Sequence, residues 1–163
     1  MAKKIAKTNA ARILDKEQID YDILHYESND GLVDGVSVAA KIGYPVEQVY
    51  KTLVAAGSSK QHYVFVIPVA DELDLKKAAK AAGEKKVEMI PVKDILGLTG
   101  YIRGGCSPVG MKKPFPTFVS EKANVLEKII VSAGKIGMQL KLAPHELLKA
   151  ANGRLADLTA GEE

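Results

Sequence analysis

Two apolar runs, Tyr50 to Ala56 and Tyr63 to Val69, flank the polar connection Gly57-Ser58-Ser59-Lys60. Runs of this length, rich in Val, Tyr and Phe, have the character of strands buried on both faces, and the short connection makes them antiparallel neighbours. A sheet centred on such a pair needs apolar cover on both sides. One residue breaks the pattern. Lys51 opens Lys-Thr-Leu-Val-Ala-Ala, and strand alternation gives it the same face as Leu53 and Ala55. An ammonium there is costly unless it lines a polar pocket or meets a carboxylate. The competing reading is a strand-end lysine that lays its stem on apolar surface and its head in water. A lysine in a pocket can bond a carbonyl oxygen or a phosphate.

The cover is written on either side of this pair. Thr8 can cap a helix from Asn9 to Glu17, and Tyr21 to Tyr26 alternates as a strand before Ser28-Asn-Asp-Gly31 breaks it. The basic arm ahead of Thr8 is expected to fray. Ser37 is positioned to cap a short helix, Val38 to Ile42, stopped by Gly43 and Pro45. Leu73 to Ala82 predicts a helix ended by Gly83, and a short helix from Val92 to Leu96 follows Pro91. Thr117 to Val119, Lys128 to Ser132 and Met138 to Leu142 read as strands, the last two joined as a hairpin. Pro144 opens a final helix to Ala150 that Asn152-Gly153 ends. About seven strands and four or five helices, interleaved without strict βαβ order, point to an α/β domain with a mixed sheet surrounded by helices. No linker or repeat divides residues 1–163, so one domain is expected.

Between the short helix and the later strands lies Gly100-Tyr-Ile-Arg-Gly-Gly-Cys-Ser-Pro-Val-Gly-Met-Lys-Lys113. Tyr101 and Ile102 have the character of a strand end. Gly104 and Gly105 let the backbone approach a ligand without a Cβ in the way, Pro108 restricts Ser107, and Lys112 and Lys113 add cations outside. The loop is either a backbone-lined pocket wall with a basic rim or an ordinary turn. Cys106 is either a thiol of low pKa or an inert buried one. Ser132 either faces a pocket mouth or caps the turn that follows it, and Tyr26 is either filler or a hydroxyl donor. The spacing of His25, His62 and His145 ties none of them to Ser132 or Cys106, and G-x-S-x-G is absent, so no serine triad is readable. No metal-ligand spacing, P-loop or dinucleotide fingerprint is present.

Composition narrows the setting. A single cysteine excludes an internal disulfide, and no apolar run approaches membrane-spanning length, so a cytoplasmic, soluble chain is expected. The net charge of +3 is mild, so any nucleic-acid contact must come from local clusters. Lys76, Lys77 and Lys80 share one helix, and Lys85-Lys86 and Lys112-Lys113 form two further pairs. Such lysines either solvate a surface or, if the fold gathers them, track a polyanion.

Six stretches occur in one order: Val49-Tyr-Lys-Thr-Leu53, Leu73-Asp-Leu-Lys-Lys-Ala-Ala79, Lys85-Lys-Val-Glu-Met89, Thr99-Gly-Tyr101, Gly104-Gly-Cys-Ser-Pro-Val-Gly110 with Lys112-Lys113, and Val131-Ser-Ala-Gly-Lys135. Together they resemble the YbaK family of Cys-tRNA(Pro) deacylases, relatives of the editing domain inserted in bacterial prolyl-tRNA synthetases. The resemblance covers nearly the whole chain. It implies a mixed, partly barrel-like sheet surrounded by helices and a cofactor-free editing activity in trans. Its implied partners are the acceptor end of an aminoacylated tRNA, that of proline, and prolyl-tRNA synthetase. By the same resemblance Lys51, Tyr26 and Ser132 are catalytic, Lys51 as the lysine that holds the 3′-terminal nucleotide or its phosphate and Tyr26 and Ser132 as side chains of the same pocket. Gly104, Gly105, Cys106, Ser107 and Pro108 match the loop whose backbone surrounds the aminoacyl ester, and Thr52, Gly134 and Lys135 are further candidate substrate contacts; the clustering of Lys76, Lys77, Lys80, Lys112 and Lys113 makes them the candidates for holding tRNA. It further implies that the thiol of the bound cysteine attacks its own ester carbonyl, leaving as a thiolactone. Asp34-Gly-Val-Ser37 and Ser132-Ala-Gly-Lys-Ile-Gly137 depart from the family pattern and are expected to reshape the pocket rim, which leaves open a deacylase for another small amino acid. A non-catalytic module that binds the acceptor end is the alternative from another class.

Overall fold

A computed structural model describes residues 8–32 and 34–160; the basic arm ahead of Thr8 lies outside them. Among the described residues are eight strands and five α-helices in two sheets. The larger sheet has the order β4 (Val87–Met89), β2 (Tyr50–Gly57), β3 (His62–Pro68), β5 (Thr117–Ser120), β8 (Gly153–Ala156). Its β2–β3 pair is the antiparallel hairpin expected from the two apolar runs, with Lys51 opposite Ile67. β5 lies parallel to β3 and β8 parallel to β5, so the sheet is mixed. The smaller sheet, β1 (Asp22–His25), β7 (Met138–Leu142), β6 (Ile129–Ser132), is antiparallel throughout, and β6–β7 is the expected second hairpin. A parallel bridge between Val49 and Ile130 ties the sheets together. The result is a folded-over pair of sheets, and the described strands form no closed barrel.

Alternation decides what each face meets. Tyr50, Val64 and Val66 point between the sheets, joining Ile129, Val131, Leu140 and Leu142 in the largest apolar cluster. That cluster is closed by α1 (Asn9–Lys16), through Ala10 and Leu14, and by α5 (Pro144–Ala151), through Leu147. Ala55, Phe65 and Ile67, on the opposite face, pack against Ala78 and Ala79 of α3 (Leu75–Ala82). A third cluster sets Ala39 of α2 (Gly35–Ile42) on Val49, Val69 and Ile130, at the junction of the two sheets. No described helix is long and apolar enough to cross a membrane.

Several local expectations shift. Asp34, not Ser37, caps α2: its carboxylate accepts from Ser37 N–H at 3.1 Å and Ser37 Oγ at 2.7 Å, so the helix begins three residues earlier than Val38. Asp74 likewise caps α3, while Leu73 bridges to Thr159 instead of entering the helix. The segment after Pro91 is a 3₁₀ turn, Val92–Asp94, running into α4 (Ile95–Thr99). Tyr101 and Ile102 are not a strand end. Gly100, at φ +84°, closes α4, and Thr99 Oγ1 accepts the Tyr101 N–H at 3.0 Å, which turns the chain before any partner strand is reached. β8 has no counterpart in the sequence reading, because a four-residue edge strand with one face half exposed carries little periodic signal.

The Gly104 and Gly134 loops rest directly on each other. A Cβ on Gly105 would lie 3.0 Å from the Ile136 backbone nitrogen, and one on Gly134, at φ +101°, would lie 2.7 Å from Tyr101 Cε1. The Tyr101 ring cannot retreat, since its hydroxyl donates to Val109 C=O at 2.7 Å in a buried setting. Gly134→Ala is therefore expected to lower stability by roughly 1–3 kcal/mol through left-handed strain and overpacking. Thermal denaturation against wild type measures this; an unchanged midpoint would show that the loops separate freely.

Candidate functional site

Hydrogen bonding along β2 leaves a gap in the sheet. Odd-numbered residues face β3, as Val49 C=O accepts from Val69 N–H at 2.9 Å and Gly57 N–H donates to Gln61 C=O at 2.8 Å. Even-numbered residues therefore turn their backbone groups to the other edge. At one end Gln48 C=O accepts from Ile130 N–H (3.0 Å), beside β6, and at the other Val54 C=O accepts from Ile90 N–H (3.2 Å), beyond β4. Between these two neighbours the edge is open around Thr52. A cavity of about 680 Å³ occupies the gap, lined by Val49, Tyr50, Lys51, Thr52 and Leu53. Since consecutive residues line it, the cavity wraps around the strand edge and meets both faces.

Three other segments complete the wall. The first turn of α2 contributes Asp34, Gly35 and Val36, the loop after α4 contributes Arg103, Gly104 and Cys106, and the small sheet contributes Ser132 and Gln139 with Tyr26 just past β1. Gly35 sits where a Cβ would overlap the Val69 side chain, so α2 can approach the sheet junction only with glycine there. Lys41 organises the mouth: its Nζ bonds Glu27 C=O at 2.6 Å, Asp30 at 2.7 Å and Leu32 C=O at 2.9 Å, and lies 5.9 Å from the Tyr26 ring centroid. The segment carrying Gly31 is thereby tied down beside the opening.

The chemistry of the cavity is polar and cationic. Lys51 is half-buried and Arg103 exposed, and among the described residues neither has a carboxylate within ion-pair distance. Asp34 is the lining carboxylate, and its hydrogen bonds from Ser37 hold its pKa below the usual range. The hydroxyls of Tyr26, Tyr50 and Thr52 are buried without a hydrogen-bond partner among the described residues, and all three residues line this cavity. Buried polar atoms are nearly always paired, so a cluster of three orphans marks a place built for a polar guest. Tyr50 is only 2% exposed, and burial, with Asp71 nearby, pushes its pKa well up, so its hydroxyl keeps its proton.

No protein nucleophile is prepared here. Burial pushes the Cys106 thiol up to about 11, so it is protonated at neutral pH. Ser132 Oγ accepts the Gly134 N–H at 3.1 Å, capping its turn while remaining on the wall, and no histidine lines the cavity.

Of the residues singled out in the sequence, the fold brings Lys51, Tyr26, Ser132, Thr52, Gly104 and Cys106 to the lining of one cavity. Gly105, Ser107, Pro108 and Gly134 lie behind that lining, and the exposed Lys135 does not join it: Gly105 presses on the 135–136 backbone, and the fully buried Ser107 accepts the Val109 N–H at 3.3 Å. None of the lysines in the three clusters lines the cavity. Lys76, Lys80, Lys85 and Lys113 are exposed, whereas Lys77 Nζ is bound to Thr159 C=O (2.8 Å) and Asp157 (3.2 Å). Lys86 pairs with Glu88 at 3.2 Å, and Lys112 reaches Gly97 C=O at 3.3 Å. Tyr50, Arg103 and Gln139 were missed, while Asp34 and Gly35 belong to the departing stretch expected to reshape the pocket rim and do line the cavity. Adjacency to Lys51 and to Gly104 was the available signal for Tyr50 and Arg103; α2 and β7 reach the cavity only through tertiary packing.

Comparison with known proteins agrees with this picture. The aminoacyl-tRNA editing domain is matched over residues 33–150. A protein of Enterococcus faecalis provisionally named Cys-tRNA(Pro)/Cys-tRNA(Cys) deacylase EbsC is 48% identical over 164 residues, covering 99% of this chain and 100% of its own. Among solved structures, one described as a trans-editing enzyme for prolyl tRNA synthetase superposes with a TM-score of 0.80 at 24% identity, covering 96% of this chain and 100% of that one. The hypothetical protein APE2540 superposes with a TM-score of 0.85 at 22% identity, covering 93% and 99%. At those identities the two structures speak for the fold, while the domain match and the E. faecalis relative reach further: the chain belongs to the aminoacyl-tRNA editing domain family.

Proposed function

We propose that this protein deacylates cysteine mistakenly attached to proline tRNA, acting in trans in the cytoplasm, and that the substrate's own sulfur makes the attack. The observation that carries this reading is a polar, cationic cavity without a prepared protein nucleophile. The 48% identical relative, whose name carries Cys-tRNA(Pro) and Cys-tRNA(Cys), supports cysteine as the amino acid. In the proposed step the substrate thiolate sulfur bonds to the ester carbonyl carbon, the carbonyl electrons move to oxygen, and the C–O bond to the ribose then breaks. The ribose oxygen takes up a proton, giving deacylated tRNA and a cysteine thiolactone that hydrolyses in water. Atoms and charge balance without a cofactor.

The protein's share is placement and charge. Lys51, held on the open edge of β2, would face the ester and the negative charge that develops on it, and Gly104 lets the loop backbone come close to the carbonyl oxygen. Tyr26, Thr52 and Ser132 would orient the ribose and the amino acid. The attack is intramolecular because thiol and ester belong to one cysteinyl group, and the cavity's share is to hold the sulfur against its own carbonyl carbon.

Lys51→Ala is expected to fold normally and lose roughly 100-fold or more in single-turnover deacylation of Cys-tRNA(Pro). Lys51→Arg should also fail largely, because a planar fork does not replace a point charge. Turnover near wild type in the alanine variant would remove Lys51 from the site.

The source of the sulfur can be read separately. Cys106→Ala should keep most of the activity, while seryl- or alanyl-tRNA should be cleaved far more slowly than cysteinyl-tRNA. The rate on cysteinyl-tRNA should rise with pH towards the ordinary thiol pKa of about 8.5, in Cys106→Ala as in wild type, since the ionising group belongs to the substrate. A folded but inactive Cys106→Ala variant, or a cysteinyl adduct on Cys106 seen by mass spectrometry, would overturn the substrate-assisted route.

For tRNA, the exposed Lys76, Lys80 and Lys113 are proposed to contact phosphates. Removing each contact should flatten the slope of log affinity against log salt by about 0.7–0.9, as read by filter binding across a salt series. Lys77→Ala, by contrast, should cost stability and leave the slope in place, since Lys77 is spent on Thr159 and Asp157.

A further inference from the structure

Arg103 is unassigned by the family resemblance, yet among the described residues it is one of two cations that line the cavity. Its backbone is held by a tight turn in which Gly105 N–H donates to Ile102 C=O at 3.0 Å, with Arg103 and Gly104 as the two central residues and Gly104 at φ +88°. Positive φ at the second central position is the type II arrangement, which needs glycine there and presents the side chain before it at the tip. The turn is seated firmly, because Gly105 abuts the 135–136 backbone. An arginine at an exposed turn is ordinarily a solvated charge. Two observations separate this one: it lines a 680 Å³ cavity, and among the described residues no carboxylate lies within ion-pair distance of it. Asp34, the carboxylate on the same wall, is committed to Ser37 and the start of α2.

The two cations differ in depth and in shape. Lys51 is half-buried on the strand edge, and Arg103 is exposed on the opposite loop. A nucleoside ester entering by its acyl end carries its ester deep and leaves the phosphate on its 5′ oxygen near the rim. A guanidinium presents a planar fork of donors that matches two phosphate oxygens at once, whereas an ammonium is a point charge suited to a single oxygen. We propose that Arg103 is a positioning residue that grips the 5′-phosphate of the terminal nucleotide, leaving Lys51 free to act at the ester. The inference rests on the deacylase reading for the identity of the ester, but the phosphate grip can be tested without turnover.

The experiment compares adenosine 5′-monophosphate with adenosine as ligands, by calorimetry or chemical-shift titration, for wild type, Arg103→Ala and Arg103→Lys. Wild type should bind the monophosphate more tightly by roughly 10- to 100-fold, the range expected for charge-assisted hydrogen bonds. In Arg103→Ala that ratio should collapse towards one, and Arg103→Lys should restore part of it. Lys51→Ala should preserve the ratio. The kinetic counterpart uses 2′(3′)-O-cysteinyl-adenosine with and without a 5′-phosphate: Arg103→Ala should erase the preference for the phosphorylated ester mainly through KM. No monophosphate preference in wild type, or an equal preference in Arg103→Ala, would overturn the assignment, as would a loss in which both ligands weaken together, which marks a loop-shaping role. Failure of wild type to cleave either ester while the binding ratio behaves as described would instead count against the deacylase reading and leave the phosphate grip standing.

Discussion

The site depends on a backbone vacancy. β2 is held along one edge by β3, but its other edge is shared by two strands that take opposite ends, β6 at the Gln48 carbonyl and β4 at the Val54 carbonyl. The stretch around Thr52 belongs to neither. An unpaired strand edge is normally a liability, since its N–H and C=O groups invite another chain. Here α2, the Gly104 loop and the small sheet close around it, so the edge opens into a walled cavity instead of a flat surface. The cost of leaving that backbone without a strand partner is thereby turned into polar lining for a substrate.

Burial and charge then divide the work. The apolar clusters on the two faces of the large sheet pack β2 from both sides, which fixes where Lys51 emerges. The glycines do the same for the opposite wall: with no Cβ at positions 105 and 134, two loops pack backbone to backbone and against the Tyr101 ring. The thiol in that wall is buried enough to stay protonated. A cavity assembled this way supplies position, hydrogen bonds and positive charge, and this is consistent with chemistry in which the reactive atom arrives with the substrate.

The chain made much of this readable and concealed the rest for identifiable reasons. The β2–β3 and β6–β7 hairpins were legible because long apolar runs and alternation are local signals, and Thr8, Gly43 and Asn152 mark helix ends in one dimension. Lys51 was legible because it contradicts its surroundings. Ser37 was read as the cap because its hydroxyl suits the position, but the Asp34 carboxylate takes both the Ser37 N–H and its hydroxyl, and Gly35 lets that earlier turn pack against Val69. The strand character of Tyr101 and Ile102 was real as propensity, but propensity yields where Thr99 and two glycine turns leave no partner strand.

What the sequence alone determined is the local grammar: which runs are strands, which glycines break them, and one lysine placed against the apolar pattern. It also carried the ordered motifs by which the family is known. The tertiary structure decided which of those features meet. It brought Tyr26, Tyr50, Thr52, Arg103 and Ser132 around Lys51, placed Ser107 and Gly134 behind the wall, and spent Lys77 on an internal bond. The physical reason is that periodicity and turn chemistry act over a few neighbouring residues, whereas the gap in β2 exists only because strands distant in sequence compete for the same edge and neither covers its middle.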